Sequence, residues 1–299
     1  MTEPSCQGRI VIITGAGGGI GRGYAHLFAK EGAHVVVNDV ASADKVVEEI
    51  TAAGGVAVAD NHDISTPEGA KALVDKAIDT FGGLDVVVNN AGILRDRMVV
   101  SMTVEEWDAV MAVHLRGTFL MTNIAANYWR ERSKQGLPND ARVINTSSHS
   151  GLKGNMGQSN YGAAKAGIAS FTIIASGELS RYGITVNAIS PSARTNMTMG
   201  GSMGKITFAE GEFDRNHPDN VAPIVVWLGS SASAHINGRV IAVGGGNKAV
   251  MEGWHDGPSQ DKGARWEVAE VGPVLSALVE KASPVSVFQS RPREEKKES

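Results

Sequence analysis

The sequence predicts an α/β fold, a doubly wound parallel sheet with helices on its faces. Three observations predict it. Short apolar runs alternate with helix-patterned stretches from Arg9 to Val243, the order produced when crossover helices join parallel strands. The first run leads straight into a glycine-rich turn, Gly15-Ala-Gly-Gly-Gly-Ile-Gly21, that opens the first helix. Polar residues close the apolar runs at Asp39, Asn89 and Thr146, and in a parallel sheet these strand ends share one edge.

Arg9 to Thr14 is the first strand, followed by a helical pattern from about Arg22 to Glu31. His34 to Asn38 is the second strand and Ala43 to Ala53 the second helix. Val56 to Ala59 is a third strand. Pro67 to Phe81 is a third helix, with proline in its first turn and Ser65 or Thr66 as its cap. Leu84 to Val88 is a fourth strand, and Thr103 to Arg132 is largely helical. Arg142 to Asn145 resumes strand character, then Ala163 to Ser180 is helical. Ile184 to Ile189, Asn220 to Leu228 and Val240 to Val243 complete the series as strand, helix and strand.

Composition excludes several classes. A length of 299 residues with 36 glycines suits one domain with many tight turns. A net charge of −4 offers no basic field for nucleic acid. Cys6 is the only cysteine, so no internal disulfide and no cysteine-built zinc site forms, and no metal is expected. No apolar stretch approaches the ~18 residues that span a bilayer. Neither a signal-peptide pattern nor a C-terminal Ser-Lys-Leu address is visible. The expectation is a soluble cytoplasmic protein without a membrane partner.

The strand ends carry the chemistry. The glycine turn reads Thr14-Gly15-x-x-x-Gly19-x-Gly21, and a glycine loop between strand and helix presents N–H groups to a pyrophosphate. Asp39 ends the second strand twenty residues beyond Gly19. A carboxylate there accepts from ribose hydroxyls and repels a 2′-phosphate, favouring NAD over NADP. Two readings compete: Asp39 as a helix cap, and Arg22 as a phosphate-attracting cation. Asp63-Ile64 follows the third strand where an adenine edge falls, and Asn89-Asn90-Ala91-Gly92 follows the fourth. From these loops the expected cofactor set is Gly15, Gly19, Ile20, Gly21, Asp39, Asp63, Ile64, Asn90, Ala91 and Gly92. Tyr161 and Lys165 lie four apart at the start of a helix, so they leave the same face. A phenol beside an ammonium is suited to acid–base work on a carbonyl. A lone Tyr-x-x-x-Lys is common by chance, so the pair gains meaning only with the glycine loop and Ser148.

Together, Thr14-Gly15-x-x-x-Gly19-x-Gly21, Asn89-Asn90-Ala91-Gly92, Ser148 thirteen residues before Tyr161, and Tyr161-x-x-x-Lys165 resemble the short-chain dehydrogenase/reductase family over roughly residues 8 to 246. The resemblance implies a Rossmann-like single domain in which Tyr161 handles the substrate proton and Ser148 binds the substrate oxygen. It implies that Lys165 holds the nicotinamide ribose and lowers the Tyr161 pKa, that Tyr161, Lys165 and Thr195 complete the cofactor set, and that the chain assembles as a homodimer or homotetramer.

Further segments resemble the (3R)-hydroxyacyl-CoA dehydrogenase units of peroxisomal multifunctional enzyme type 2. These are Val88 to Arg97, Val113-His114-Leu115-Arg116-Gly117-Thr118-Phe119, Asn155-x-Gly157-Gln158-x-Asn160-Tyr161, Met197-Thr198 and Val221-Ala222-Pro223. That branch implies NAD as cofactor and an acyl-CoA substrate, with NADPH-dependent reductase, hydroxysteroid dehydrogenase and silent NAD-binding scaffold as rivals. His114 stands where most of the family carries an asparagine that orders a relay water; a catalytic and a buried structural histidine are both open. The chain departs from the branch in lacking a glycine-rich insertion after Asp39, in a long Glu131 to Asp140 segment, and in Pro191-Ser192 for Pro-Gly.

Residues 192–216, rich in Gly, Met and Ser, are expected to form a mobile substrate loop. Beyond Gly246, residues 247–299 form an extension. Its Trp254, Trp266 and the pattern Val271, Val274, Leu275, Leu278, Val279 predict a packed helix before a charged, disordered end from Arg291 to Ser299.

Overall fold

The computed structural model describes residues 5–195 and 212–283. Its elements, in chain order, are β1 (Ile10–Thr14), α1 (Gly19–Lys30), β2 (His34–Asn38), α2 (Ala43–Ala52), β3 (Val56–Asp60), α3 (Pro67–Phe81) and β4 (Val86–Asn89). The second half holds α4 (Val104–Met111), α5 (Gly117–Lys134), β5 (Ala141–Thr146), α6 (His149–Lys153), α7 (Ser159–Leu179), β6 (Ile184–Pro191), α8 (Ala222–Gly229), β7 (Val240–Gly244), β8 (Asn247–Met251) and α9 (Val268–Lys281). One sheet runs β3-β2-β1-β4-β5-β6-β7-β8. Every neighbouring pair is parallel except β7 with β8.

The central strands β1, β2 and β4 are mostly apolar because both faces of the sheet are covered there, whereas β8 at the edge is largely exposed. Val11 and Ile13 of β1 join a core with Tyr24 and Phe28 of α1, Ile50 of α2 and Leu228 of α8. Ile10 and Ile12, pointing the other way, join Leu73 of α3, Met121 and Trp129 of α5 and Ala175 of α7. Trp129 is fully buried and its indole donates to the Leu84 carbonyl at 2.7 Å, so its polar atom is satisfied where water is excluded. The chain runs outward from β1 to β3, then returns to β4 on the other flank of β1. That reversal opens a crevice at the carboxyl ends of β1 and β4.

Several boundaries shift for physical reasons. Thr66, not Ser65, caps α3, its hydroxyl accepting from Gly69 N at 3.1 Å. Thr103 and Glu106 form a reciprocal capping box on α4. α4 and α5 are joined by a π-helical turn, Ala112–Arg116, that contains His114. α5 continues to Lys134, absorbing part of the expected Glu131 to Asp140 loop. α7 begins at Ser159 rather than Ala163, so Tyr161 and Lys165 both lie within it.

The end of the chain departs most from expectation. The turn Gly245-Gly246 closes a hairpin that pairs Gly244 with Asn247, and β8 extends the sheet antiparallel to β7. The expected boundary after Gly246 therefore cuts a hairpin. α9 forms, but none of its residues is buried; Val268 is 91% exposed, Leu275 55% and Val279 65%. The expected packed helix is thus a helix with no buried residue, because no described element covers its apolar side. Trp254 is fully exposed. Met197, Thr198, most of the 192–216 loop and the Arg291 to Ser299 tail lie outside the described residues.

Candidate active site

The carboxyl end of β5 delivers Ser148 and α7 delivers Tyr161 and Lys165. Two bonds lock these elements together: Ser147 Oγ donates to the Lys165 carbonyl at 2.9 Å, and Lys165 Nζ donates to the Thr146 carbonyl at 2.6 Å. Ser148 caps α6, its hydroxyl accepting from Ser150 N at 3.2 Å, and its side chain lies close enough to the Tyr161 phenol to favour the phenolate. The Lys165 ammonium lies 5.5 Å from the centre of the Tyr161 ring. The three residues singled out in the sequence meet in one place.

Burial governs their protonation. Burial pulls Lys165 down to about 7. It pushes the Tyr161 phenol up; the Ser148 side chain offsets this and the Asp96 carboxylate adds to it. The resemblance implied a Tyr161 lowered by Lys165; among the protein's own groups burial is the largest influence and raises the phenol. Lys165 gives its hydrogen bond to Thr146, and burial penalises both charged forms.

His114 is 2% exposed and meets Tyr161 edge-on, with ring centres 5.1 Å apart at 84°. Its Nε2 lies 2.8 Å from the Ile93 carbonyl and 3.0 Å from the Ile93 N–H. Nδ1 is buried with no hydrogen-bond partner among the described residues. A Cβ on Gly92 would fall 2.2 Å from the imidazole Cε1, so only glycine fits beneath it. Burial first, then the Lys165 charge, lower His114 to about 3, against the Ile93 bond that raises it. The ring is neutral at physiological pH. An unfolded histidine binds a proton below about 6.5, so stability falls as pH drops from there toward 3, by up to about 1.4 kcal/mol per unit. His114→Asn is expected to flatten that acid limb in denaturant titrations at several pH values; an unchanged limb contradicts the assignment.

The glycine loop sits at the crevice. Gly15, at φ 63°, passes so close to the β4 loop that an added Cβ would stand 2.7 Å from Ala91 Cα. Thr14 Oγ1 accepts from Asn90 N and Ala91 N, each at 3.0 Å, and Asn90 Nδ2 donates to the carbonyls of Thr14 (2.9 Å) and Gly15 (3.0 Å). Asn90 therefore shapes the crevice and its side-chain amide is spent on protein. Gly19, at φ 54°, has nothing nearer its Cβ direction than the Thr195 methyl at 3.5 Å, and Gly18 faces open space. Ile20 and Gly21 continue into the first turn of α1. The open glycine face and helix N-terminus fit a dinucleotide pyrophosphate.

Asp39 does cap locally, accepting from Gly17 N at 3.1 Å and Ala41 N at 3.0 Å. Each carboxylate oxygen retains acceptor capacity for a ribose hydroxyl. Arg22 is bound to Glu49 at 2.7 Å, and Glu49 also meets His26 at 2.9 Å. Asp63 is exposed and caps Ser65 N at 2.8 Å. The Ile64 side chain is buried in the core, so only its backbone borders the expected adenine edge.

Sequence reasoning missed a polar clamp on the active-site rim. Gln158 accepts from Ser150 Oγ at 2.7 Å and Asn155 Nδ2 at 2.8 Å and donates to Asp96 at 2.9 Å. Asn160 Nδ2 donates to the Arg95 carbonyl at 2.9 Å. These residues tie the loop after β4 to the entry of α7. Their signal was present as polar residues flanking Tyr161. No described group of His, Cys, Asp and Glu is arranged to hold a metal. No helix among the described residues is long and apolar enough to cross a membrane.

Comparison with known proteins agrees with this geometry. The family model for short chain dehydrogenases matches residues 9–203. The hydroxyacyl-CoA dehydrogenase ChsB1 of Mycobacterium tuberculosis is 45% identical over 90% of this chain and 88% of its own. Mouse peroxisomal multifunctional enzyme type 2 is 44% identical over 80% of this chain, which spans only 32% of that longer protein. The crystal structure of a short chain dehydrogenase from Mycobacterium avium is 53% identical and superimposes with a TM-score of 0.88 over 96% of this chain and 100% of that one. A Burkholderia cenocepacia short chain dehydrogenase in complex with NADP is 29% identical, with a TM-score of 0.71 over 81% of this chain and 98% of that one. The open glycine-loop crevice, the convergence of Ser148, Tyr161 and Lys165, and these relatives lead to one conclusion: the chain belongs to the short-chain dehydrogenase family.

Proposed function

We propose that the protein is an NAD-dependent dehydrogenase that oxidises the hydroxyl of a 3-hydroxyacyl-CoA. The observation that carries this reading is the convergence of Ser148, Tyr161 and Lys165 at the sheet edge that also holds the open glycine loop and Asp39. The relatives named for hydroxyacyl-CoA and multifunctional enzymes supply the substrate class.

NAD, when bound, supplies the hydride acceptor. Gly15, Gly19, Ile20 and Gly21 would hold its pyrophosphate, Asp39 its adenosine ribose, and Thr195 and Lys165 the end nearest the substrate. Asp63, Ile64, Asn90, Ala91 and Gly92 border the cleft. Ser148 donates a hydrogen bond to the substrate oxygen. Tyr161 takes the hydroxyl proton as the carbon loses hydride. His114 acts as a positioning residue: its neutral ring fixes the Tyr161 ring edge-on, and its bare Nδ1 offers an acceptor to a relay toward Lys165.

NAD is favoured over NADP because Asp39 places negative charge where a 2′-phosphate would sit, and because Arg22 is engaged by Glu49. Asp39→Ala is expected to narrow the NAD over NADP preference in kcat/KM by at least about tenfold, or ~1.4 kcal/mol. A wild-type preference for NADPH contradicts this assignment.

Assembly as a homodimer or homotetramer is part of the same reading. The outer face of α5 and α7 leaves Phe119 47%, Ile173 52% and Ile174 57% exposed, more apolar side chain than a monomer's helix face ordinarily shows. We place residues 253–283 at the edge of that assembly, because no described residue covers the apolar side of α9. A chain ending at Glu252, which keeps β8, is expected to lose oligomeric mass by light scattering or to raise the acyl-CoA KM. Retention of mass, thermal midpoint and KM contradicts the proposal. A cytoplasmic location accords with the lone, buried Cys6.

A further inference from the structure

A second feature of the substrate end is a cavity of about 460 Å³ lined by His149, Ser192, Arg215, Asn216, Gly245 and Asn247, among other residues. It lies at the carboxyl ends of β6 and β7. The sheet order places β7 four strands from β1, which at ~4.8 Å per strand is about 19 Å from the glycine loop. The cavity is therefore separate from the crevice that fits the cofactor pyrophosphate. It is only two strands from β5, and His149 directly follows Ser148.

Its walls are built, and they are rich in donors. Arg215 is held between two anchored neighbours. The Asp214 carboxylate pairs with Arg194 and accepts from Asn216 N at 2.9 Å, while the Asn216 carbonyl accepts from Arg194 N at 2.7 Å. The Asp214 carbonyl takes Asn220 Nδ2 at 2.9 Å. Gly245, at φ 52°, lets the β7 turn pass so close that an added Cβ would meet Arg215 Cβ and carbonyl O at 3.1 Å. The Arg215 guanidinium makes no hydrogen bond or ion pair with any described residue. Asn216 Nδ2 is buried without a hydrogen-bond partner among the described residues, and such an orphaned donor calls for an acceptor. His149 meets Ser190 Oγ at 3.1 Å through Nδ1. No Asp or Glu is among the described lining residues.

We infer that this cavity receives the coenzyme A half of the substrate, with the Asn216 amide toward the amide-bearing arm and Arg215 on a phosphate at the mouth. The inference rests on the acyl-CoA reading of the active site. An exposed guanidinium beside unpaired donors matches an anionic, carbonyl-rich chain and has nothing to offer a sterol nucleus. The arm running from the thioester at Ser148 crosses two strand spacings, from β5 over β6 to β7. The acyl chain then leaves on the opposite side.

The test compares thioesters with and without phosphates. Wild-type protein and Arg215→Ala, each with NAD, are assayed on a 3-hydroxyacyl-CoA and on the N-acetylcysteamine thioester of the same acid. Arg215→Ala is expected to lower the ratio of kcat/KM for the CoA thioester over the short thioester at least about tenfold. Arg215→Lys, which keeps the charge, recovers most of that ratio. Calorimetry with CoA itself should show the same weakening. An unchanged ratio in an enzyme that oxidises acyl-CoA overturns the inference and leaves the acyl-CoA reading standing. Failure of the wild type both to oxidise either thioester and to bind CoA overturns the two together.

Discussion

Tyr161→Phe is expected to cut turnover by ~10²–10⁴-fold, the usual contribution of a general acid–base group, while NAD binding stays close to wild type. The phenyl ring keeps its edge contact with His114 and its place beneath the Lys165 ammonium. Only the phenol hydroxyl is lost. The direction of the Tyr161 shift adds a pH signature. Alcohol oxidation needs the phenolate as proton acceptor, and burial raises the phenol. Oxidation should therefore accelerate as pH rises through the neutral range, and ketone reduction should slow. Steady-state rates in both directions check this, alongside fluorescence titration of NAD. A variant retaining half its activity removes Tyr161 from the chemistry.

The second large effect lies at the opposite edge of the sheet. Arg9 and Arg142 converge on Asp140 just before β5. Arg142 is 1% exposed and also donates to the Ser230 carbonyl at 3.1 Å and Ser233 Oγ at 3.2 Å. Burial lowers Arg142, and Asp140 opposes that shift. Removing Asp140 leaves a buried cation without its counter-charge, which costs about 3–5 kcal/mol in comparable pairs. Partial exposure of Asp140 places the expected loss near the lower end. Asp140→Ala should lower Tm by roughly 6–12 °C for a domain of this size, with kcat of the folded fraction unchanged because Ser148 lies at the far end of β5. An unaltered Tm would show that the serines and carbonyls alone satisfy the arginines.

Much of this was legible in the chain. Strands covered on both faces are apolar in near-continuous runs, so β1, β2 and β4 stand out against helices whose apolar residues recur every three or four. Strand ends on one edge then assemble Thr14, Asp39, Asn90 and Ser148 without any knowledge of long-range packing. What periodicity conceals is context. β8 was missed although Gly245-Gly246 is a strong two-residue hairpin signal, because the sequence beyond it alternates weakly and its residues are largely exposed. The π-helical turn around His114 has no local signature; it arises where the helix adjusts to seat the imidazole on Gly92. Ile64 lies at the expected loop, yet its side chain turns into the core, since strand-end position fixes the backbone and leaves the rotamer to packing. α9 shows the converse: an amphipathic pattern predicts a helix correctly but says nothing of which surface covers it.

The most direct test of the central claim measures NADH formation from NAD with medium- and long-chain 3-hydroxyacyl-CoA, beside NADP and free hydroxysteroids. The account predicts turnover with NAD and acyl-CoA, at a kcat/KM at least tenfold above that with NADP, the factor Asp39 is expected to supply. Preference for NADP, or turnover confined to hydroxysteroids, would contradict it.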